Sequence, residues 1–335
     1  SRLDAARLLL AQGNWAEGFV DFERRVFASP SDRPRWNGAR LPAARLVVLA
    51  EDDECDTLAF ARFLPELAAR VLSLTLAVPA DQVARLASFA GAFGGVPLVD
   101  MACLPPHDLV LPLASAPMAL GLSPDDVPPP RPASWQRRNG PTIGVALAPS
   151  PWGRVAETIP EQIVATLRRA FPDRRLVALD AAAASLLGGG AMDADPLTLA
   201  GLELVVATDG PAAHAAGVTG TPLWLLLDGA PHWMWGRSGQ FSRWYPTARL
   251  FRADGPDWAG VAEAFAAEAK ALSVPGLSEV ASLNRLAAAA EGVDGASAAR
   301  AALPLAARLV ALAPADPEAW ARLAGLLRRL GDTGD

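Results

Sequence analysis

Short runs of apolar residues alternate with helical segments through most of this chain of 335 residues. Residues 45–50, 71–78 and 109–113 have the length and apolar character of strands, and amphipathic stretches at 56–70 and 80–90 separate them. Strands that alternate with helices pair in parallel, and mostly apolar strands are buried on both faces. The alternation therefore predicts an α/β fold built on parallel sheet.

The alternation occurs twice, with a break between the two series. Residues 127–141 contain five prolines and an Arg-Arg-Asn-Gly segment, which can extend neither a helix nor a strand. We predict an N-terminal Rossmann-like lobe at 36–130, a linker at 131–141 and a C-terminal lobe at 142–272. Ligands of open α/β sheets bind at the carboxyl ends of the strands, so the two lobes are expected to face each other across a cleft. The second series is predicted to contain strands at 142–147, 175–179, 202–208, 222–227 and 249–252, and helices at 160–171, 212–218 and 258–272.

Both ends of the chain are predicted to form helices that do not belong to the two α/β series. Trp15, Phe19 and Phe22 form one apolar stripe within a predicted helix pair at 3–28, and prolines separate two further helices near the C-terminus. This spacing resembles tetratricopeptide repeats at 1–35 and 273–335. A single repeat cannot bury its own apolar face. These helices are therefore expected to cap the core or to continue a repeat array that binds a protein partner.

Charge and cysteine content exclude several functions. The net charge is −6 and Lys270 is the only lysine, so the chain lacks the clustered cations that bind nucleic acid. Two cysteines, Cys55 and Cys103, are too few for a disulfide framework or a thiolate zinc site, which favours the reducing cytoplasm. The three histidines lack the spacing of metal ligands, and we expect no metal and no cofactor. No uncharged apolar stretch reaches about 18 residues, which predicts no membrane span.

Asp56 is the first candidate for chemistry. It lies between a predicted buried strand and a predicted helix, at the position of a helix N-cap. A capping Asp stabilises a helix by about 1 kcal/mol. The same carboxylate, directed into the cleft, could act as a general base toward an acceptor hydroxyl. Both interpretations fit the sequence. Cys55 lacks the His and Asn partners of a catalytic thiol, and we interpret it as a small buried residue.

A strand, a tight turn and a helix start follow one another at 205–214. Proline suits the first position of a helix, and the free amides at a helix N-terminus attract phosphate without any lysine. His214 lies on the first turn and is either a donor to phosphate or a core or capping histidine. The predicted phosphate-binding residues are Asp209, Gly210, Pro211, Ala212, Ala213 and His214.

The loop at 232–246 is unusually aromatic for a connection on the surface. Trp and Arg together suit stacking on a base or sugar ring and pairing with an anion, so Arg237, Trp244 and Tyr245 are candidates for binding a ligand of that kind. A hydrophobic plug between the sheet and the terminal helix explains the same composition equally well. Arg154 is the only cation in the loop after the first C-terminal strand and is a further candidate for pairing with an anion.

Three segments carry a resemblance to a known family: DTLAFARFLP at 56–65, D-G-x-x-x-H at 209–214 and WYPTARLFR at 244–252. Over residues 8–272 the chain resembles the glycosyltransferase domain of bacterial tetratricopeptide-repeat proteins. That domain is similar to the ADP-heptose:lipopolysaccharide heptosyltransferases of glycosyltransferase family 9, which have the GT-B fold. The resemblance implies that Asp56 is the catalytic base. It also implies that the 209–214 turn and the aromatic loop, with Arg237, Trp244 and Tyr245, hold the donor.

The resemblance thus implies an inverting, metal-independent transfer of a sugar from a nucleotide-sugar donor to a hydroxyl of a protein or surface glycan. Flagellin is one acceptor suggested by analogy, and the repeat-like helices would present or recruit the acceptor. The alternative is a degenerate transferase fold that serves as a binding scaffold. It is favoured by the acids at 51–54, where the family has a glycine-rich loop, and by the short apolar loop at 148–154. A sugar-phosphate epimerase is a weaker third reading, because it requires a glycine-rich dinucleotide motif that the sequence lacks.

Overall fold

A computed structural model describes most of the chain. The described residues are 2–25, 27–51, 53–128, 141–148, 159–229, 231–239, 242–245, 247–254 and 257–272, together with Arg322, Gly325 and Leu326. The linker prediction at 131–141, the repeat-like helices predicted at 273–335 and the candidate Arg154 lie almost wholly outside these residues. Within this described part, no helix is both long and apolar enough to cross a membrane.

The N-terminal helix pair and the first lobe occupy residues 2–126. A four-stranded parallel sheet with the strand order β3-β2-β1-β4 forms the centre of this lobe. In chain order the elements are α1 (Arg2–Ala11), α2 (Trp15–Phe22), β1 (Leu41–Leu49), α3 (Glu54–Phe60), α4 (Leu64–Ala68), β2 (Val71–Val78), α5 (Val83–Ala87), β3 (Leu98–Asp100), β4 (Leu109–Pro112) and α6 (Ala116–Leu120).

The second lobe has its own sheet. Its five strands are all parallel and have the order β6-β5-β7-β8-β9. In chain order the elements are β5 (Thr142–Ala146), α7 (Ile159–Ala170), β6 (Arg175–Ala178), α8 (Ala181–Leu187), α9 (Pro196–Ala200), β7 (Leu204–Thr208), α10 (Pro211–Thr219), β8 (Leu223–Leu227), β9 (Ala248–Arg252) and α11 (Ala259–Leu272). The prediction of an α/β fold with two parallel-sheet, Rossmann-like lobes is confirmed.

The structure corrects the predicted elements in three places. The helix expected at 56–70 is divided into α3 and α4 by a short 3₁₀ turn, with Pro65 near the start of α4. The short edge strand β3 was not predicted. Helices α8 and α9 were also missed, and each begins at an Asp N-cap, Asp180 and Asp195, whose side chain accepts backbone hydrogen bonds.

Alternate residues of the strands belong to different cores. Leu46 and Val48 of β1 join a large apolar cluster, whereas Val47 and Leu49 face the opposite side of the sheet. The same period of two divides β7 and β8 between the large cluster and the core beneath α7 and α11. The large cluster includes residues of α1, α2 and both lobes, so the helix pair and the two sheets share one core.

Candidate functional site

The loop after β1 leads into α3 at the carboxyl end of the first sheet. Asp53 is the N-cap of α3, and one of its carboxylate oxygens accepts a 2.8 Å hydrogen bond from the Cys55 amide. The prediction that Asp56 is the cap is wrong, because Asp56 is the third residue of the helix. An N-cap needs extended backbone, and Asp53 has it with φ −88° and ψ 118°.

Asp56 is half-buried and lies among other acids. Burial, followed by the negative charges of Asp53, Glu51 and Asp209, raises the pKa of Asp56 to about 8, against an opposing effect of Arg25. A carboxyl group with such a pKa is largely protonated at neutral pH. It ionises, and can then accept a proton, around pH 8, and a general base is most effective when its pKa is close to the working pH.

The opposite wall of the site is the start of α10, which packs against α3. Gly210 is the N-cap, and its carbonyl accepts hydrogen bonds from the amides of Ala213 and His214 at 3.0 and 3.2 Å. Pro211 is exposed and has no amide hydrogen. Therefore at most two amides, those of Gly210 and Ala212, are free to bind a ligand at this helix end. This is fewer free amides than the sequence led us to expect.

Asp209 and His214 form a buried polar group with Tyr245. His214 Nδ1 lies 2.9 Å from the Tyr245 hydroxyl, and His214 Nε2 lies 3.4 Å from Asp209 Oδ1. The carboxylate oxygens of Asp209 have no hydrogen-bond partner of ordinary geometry within the described residues. Burial opposes the charge on Asp209, but His214, with a smaller contribution from His232, holds the pKa of this carboxyl below its usual value. Asp209 is therefore a buried negative charge at the expected phosphate site.

The aromatic loop is a plug in this structure. Trp244 is 2% exposed and Tyr245 is 0% exposed. The Trp244 ring lies 5.3 Å from that of Phe60 and 6.0 Å from that of Trp15, so residues of both lobes and of α2 meet here. Of the two interpretations of this loop, the hydrophobic plug describes the packing of Trp244 and Tyr245. Neither ring is positioned to stack on a base unless the cluster opens.

Two arginines that the sequence analysis missed hold this plug in place. Arg62, which is 5% exposed, donates to the carbonyls of Ala59, Pro128 and Trp244 at 2.8, 3.1 and 2.6 Å. Arg252 of β9 donates to the carbonyls of three loop residues: Trp235, Gly236 and Gly239. Arg62 and Arg252 lie within the segments 56–65 and 244–252 that carry the resemblance. Only their hydrogen-bond partners in the fold identify this role.

Arg62 also connects the lobes. Its partners are Ala59 in its own lobe, Pro128 just before the predicted linker, and Trp244 in the second lobe. Its guanidinium carbon lies 5.0 Å from the Trp244 ring centroid and 4.9 Å from that of Tyr245. A desolvated cation against aromatic faces contributes about 2 kcal/mol. The relative position of the two lobes therefore depends in part on this one side chain.

The other residues singled out in the sequence have different surroundings. Arg237 is exposed at the tip of the aromatic loop. Burial raises the pKa of the Cys55 thiol far above its usual range, which agrees with its interpretation as a small buried residue. Burial also lowers the pKa of His232 to about 3, so this imidazole is neutral. Among the residues whose positions are described, no group of three or more His, Cys, Asp or Glu side chains is arranged to hold a metal ion.

The structure brings together Asp56, Asp209, the start of α10, His214 and Tyr245 between the two lobes. Arg237 is exposed, and Arg154 lies outside the described residues. No protein-family model matches the chain, and no protein with curated annotation is significantly similar to it.

Proposed function

We propose that this protein is a glycosyltransferase of the GT-B type, with Asp56 as the general base. The observation that carries the proposal is the position of Asp56. Its carboxyl group lies at the carboxyl end of one parallel sheet, next to the helix that starts from the carboxyl end of the other. Its pKa of about 8 suits the removal of a proton from a hydroxyl near neutral pH.

In this proposal the base takes the acceptor proton while the hydroxyl oxygen attacks the anomeric carbon of a nucleotide sugar. The bond from that carbon to the diphosphate breaks, and the nucleoside diphosphate leaves with the electron pair. Attack from the face opposite the leaving group inverts the configuration. The amides at the start of α10 support the leaving diphosphate, and the described residues offer no lysine there.

A second function is favoured by the burial of the predicted donor-binding side chains. His214, Trp244 and Tyr245 are each no more than 2% exposed, and Asp209 places a negative charge where a diphosphate is expected. A transferase fold closed in this way serves as a binding scaffold without turnover. The helix pair α1–α2 then provides the surface that meets a protein partner.

The two functions are separated by turnover measurements on Asp56→Asn with a panel of nucleotide sugars and release of the nucleoside diphosphate as the readout. Loss of a general base lowers the rate by about 10²–10⁴-fold while nucleotide binding persists. Asp81→Asn, an exposed acid of the same lobe, is the matched control and is expected to retain wild-type turnover.

A rate for Asp56→Asn within about threefold of wild type would exclude Asp56 as the base, since base catalysis contributes far more than this. Nucleotide binding without turnover by the wild-type protein, for every nucleotide sugar in the panel, would support the scaffold function instead.

A further inference from the structure

A second cleft lies in the N-terminal lobe, and Arg25 in its lining acts electrostatically on Asp56. The cleft has a volume of about 190 Å³ and opens over the carboxyl ends of β1 and β4, at Leu49 and Pro112. Its outer wall is the connection between α2 and β1, which includes Ser29 and Arg33. The cleft therefore occupies the usual ligand position of an open parallel sheet, and the segment leading from the N-terminal helix pair covers it.

Three arginines line this cleft: Arg25, Arg33 and Arg35. The Arg25 guanidinium is held in place by two hydrogen bonds from Nε and Nη2 to Glu51, at 2.8 and 2.6 Å, and by one to the Ser115 hydroxyl at 2.7 Å. Arg35 pairs with Glu23 and also bonds Ser115. The positions of two of the three cations are thus set by the protein before any ligand arrives.

The arginines outnumber the acids around them. Glu23 and Glu51 balance two of the three guanidinium groups, which leaves one positive charge. Arg33 also acts electrostatically on Asp108, but that carboxylate is already engaged by Arg45 through bonds of 2.8 and 3.0 Å. The excess charge therefore lies at the exposed side of the cleft, beside Arg33.

Polar groups next to this charge are also oriented. His107 Nδ1 lies 2.7 Å from the Pro105 carbonyl and donates to it, so His107 Nε2 accepts the Ser31 hydroxyl proton at 2.8 Å. The Ser31 oxygen in turn accepts from the Arg33 amide at 3.1 Å. These hydrogen bonds hold the backbone at Arg33 in place, and with it this wall of the cleft.

We propose that this cleft binds a small ligand through a single carboxylate or phosphate group. Guanidinium groups match both anions with paired, charge-assisted hydrogen bonds. The cleft, with a volume of about 190 Å³, accommodates an anionic group with a small body. The proposal does not depend on the glycosyl transfer proposed above.

Calorimetry on the full chain tests this proposal with three probes of similar size: glucuronate, glucose 6-phosphate and uncharged glucose. We expect saturable binding of at least one charged probe and none of glucose, and the tighter of the two charged probes identifies the anionic group. Arg33→Gln and Arg35→Gln should each weaken that binding by about tenfold or more, as expected for the loss of a charge-assisted contact.

Arg24→Gln is the matched control, because Arg24 is a neighbouring exposed arginine that pairs with Asp21 and does not line the cleft. It should bind the probe as the wild type does. Arg33 is exposed, so Arg33→Gln is expected to fold normally. If Arg35→Gln does not fold, the affinity of Arg33→Gln alone tests the proposal. Failure of both charged probes to bind, equal binding of glucose, or unchanged affinity in a folded Arg33→Gln would overturn the proposal. None of these measurements requires turnover.

Discussion

The close approach of α10 to Tyr245 makes a strong prediction about Gly217. An ideal Cβ at position 217 would lie 2.6 Å from Tyr245 Cδ2, and closer still to Cγ and Cδ1. Non-bonded carbons prefer about 3.5–4.0 Å, so in Gly217→Ala the buried ring must move by about 1 Å. That movement also breaks the bond between the Tyr245 hydroxyl and His214.

The expected magnitude follows from three contributions. Overpacking of a core costs about 1–3 kcal/mol, and the lost hydrogen bond costs about 1 kcal/mol. Replacing a helical glycine by alanine returns roughly 0.5–1 kcal/mol. Gly217→Ala should therefore lower the free energy of unfolding by about 1–3.5 kcal/mol. For a chain of 335 residues the Tm falls by roughly 1.5 °C for each kcal/mol.

Gly260→Ala is the matched control for this prediction. Gly260 also lies in a helix, α11, but a Cβ there meets no atom within 4 Å. The same substitution should then stabilise the protein by roughly 0.5–1 kcal/mol. The pair of variants separates the clash from any general effect of exchanging glycine for alanine. Chemical denaturation of the three proteins gives both values.

The chain provides a direct readout of the ring itself, because Tyr245 is its only tyrosine. Burial raises the pKa of Tyr245 above its usual range, so the wild-type protein should resist tyrosinate formation until it unfolds in alkali. A displaced ring in Gly217→Ala should ionise at lower pH, which ultraviolet absorbance detects. A Gly217→Ala protein as stable as wild type, with an unchanged tyrosine titration, would refute the packing described here.

Two further predictions concern the site between the lobes. Gly210 has an extended φ of 178°, and a Cβ there meets no atom within 4 Å, so Gly210→Val should fold normally. The added side chain should weaken nucleotide binding at the start of α10. If calorimetry finds equal nucleotide affinity in the wild type and in Gly210→Val, the start of α10 is not the donor site. Because the pKa of Asp56 is raised to about 8, the folded state binds a proton more tightly than the unfolded state, and Asp56 destabilises the fold increasingly as the pH rises from about 4 to about 8. Asp56→Asn should therefore become more stable than wild type across that range and should match it near pH 3. A difference in the free energy of unfolding between the two proteins that does not grow with pH would contradict the raised pKa.

Much of the fold could be read directly from the sequence. The strand at 71–78 was predicted with its observed bounds, and the other strands of both lobes except β3 were placed to within a few residues. These strands are apolar because both of their faces are buried, and that local composition is visible without any partner. The edge strand β3 was missed because Leu98, Val99 and Asp100 are only half-buried and carry no such signal.

Contacts between distant segments could not be predicted in the same way. Arg62 and Trp244 are 182 positions apart, and nothing in the sequence around the arginine indicates that partner. Trp and Tyr in the aromatic loop suit a ligand-stacking surface and a buried plug equally well. Their burial in the shared core shows that they form the plug. The alternation of apolar strand segments with helical segments by itself determined the two parallel sheets and their order along the chain. Only the tertiary structure decided that Asp53 caps α3 and that Asp56 lies among acids which raise its pKa. It also decided that Arg25 and Glu51 shape a second cleft. Each of these features depends on charges and packing partners that other parts of the chain supply.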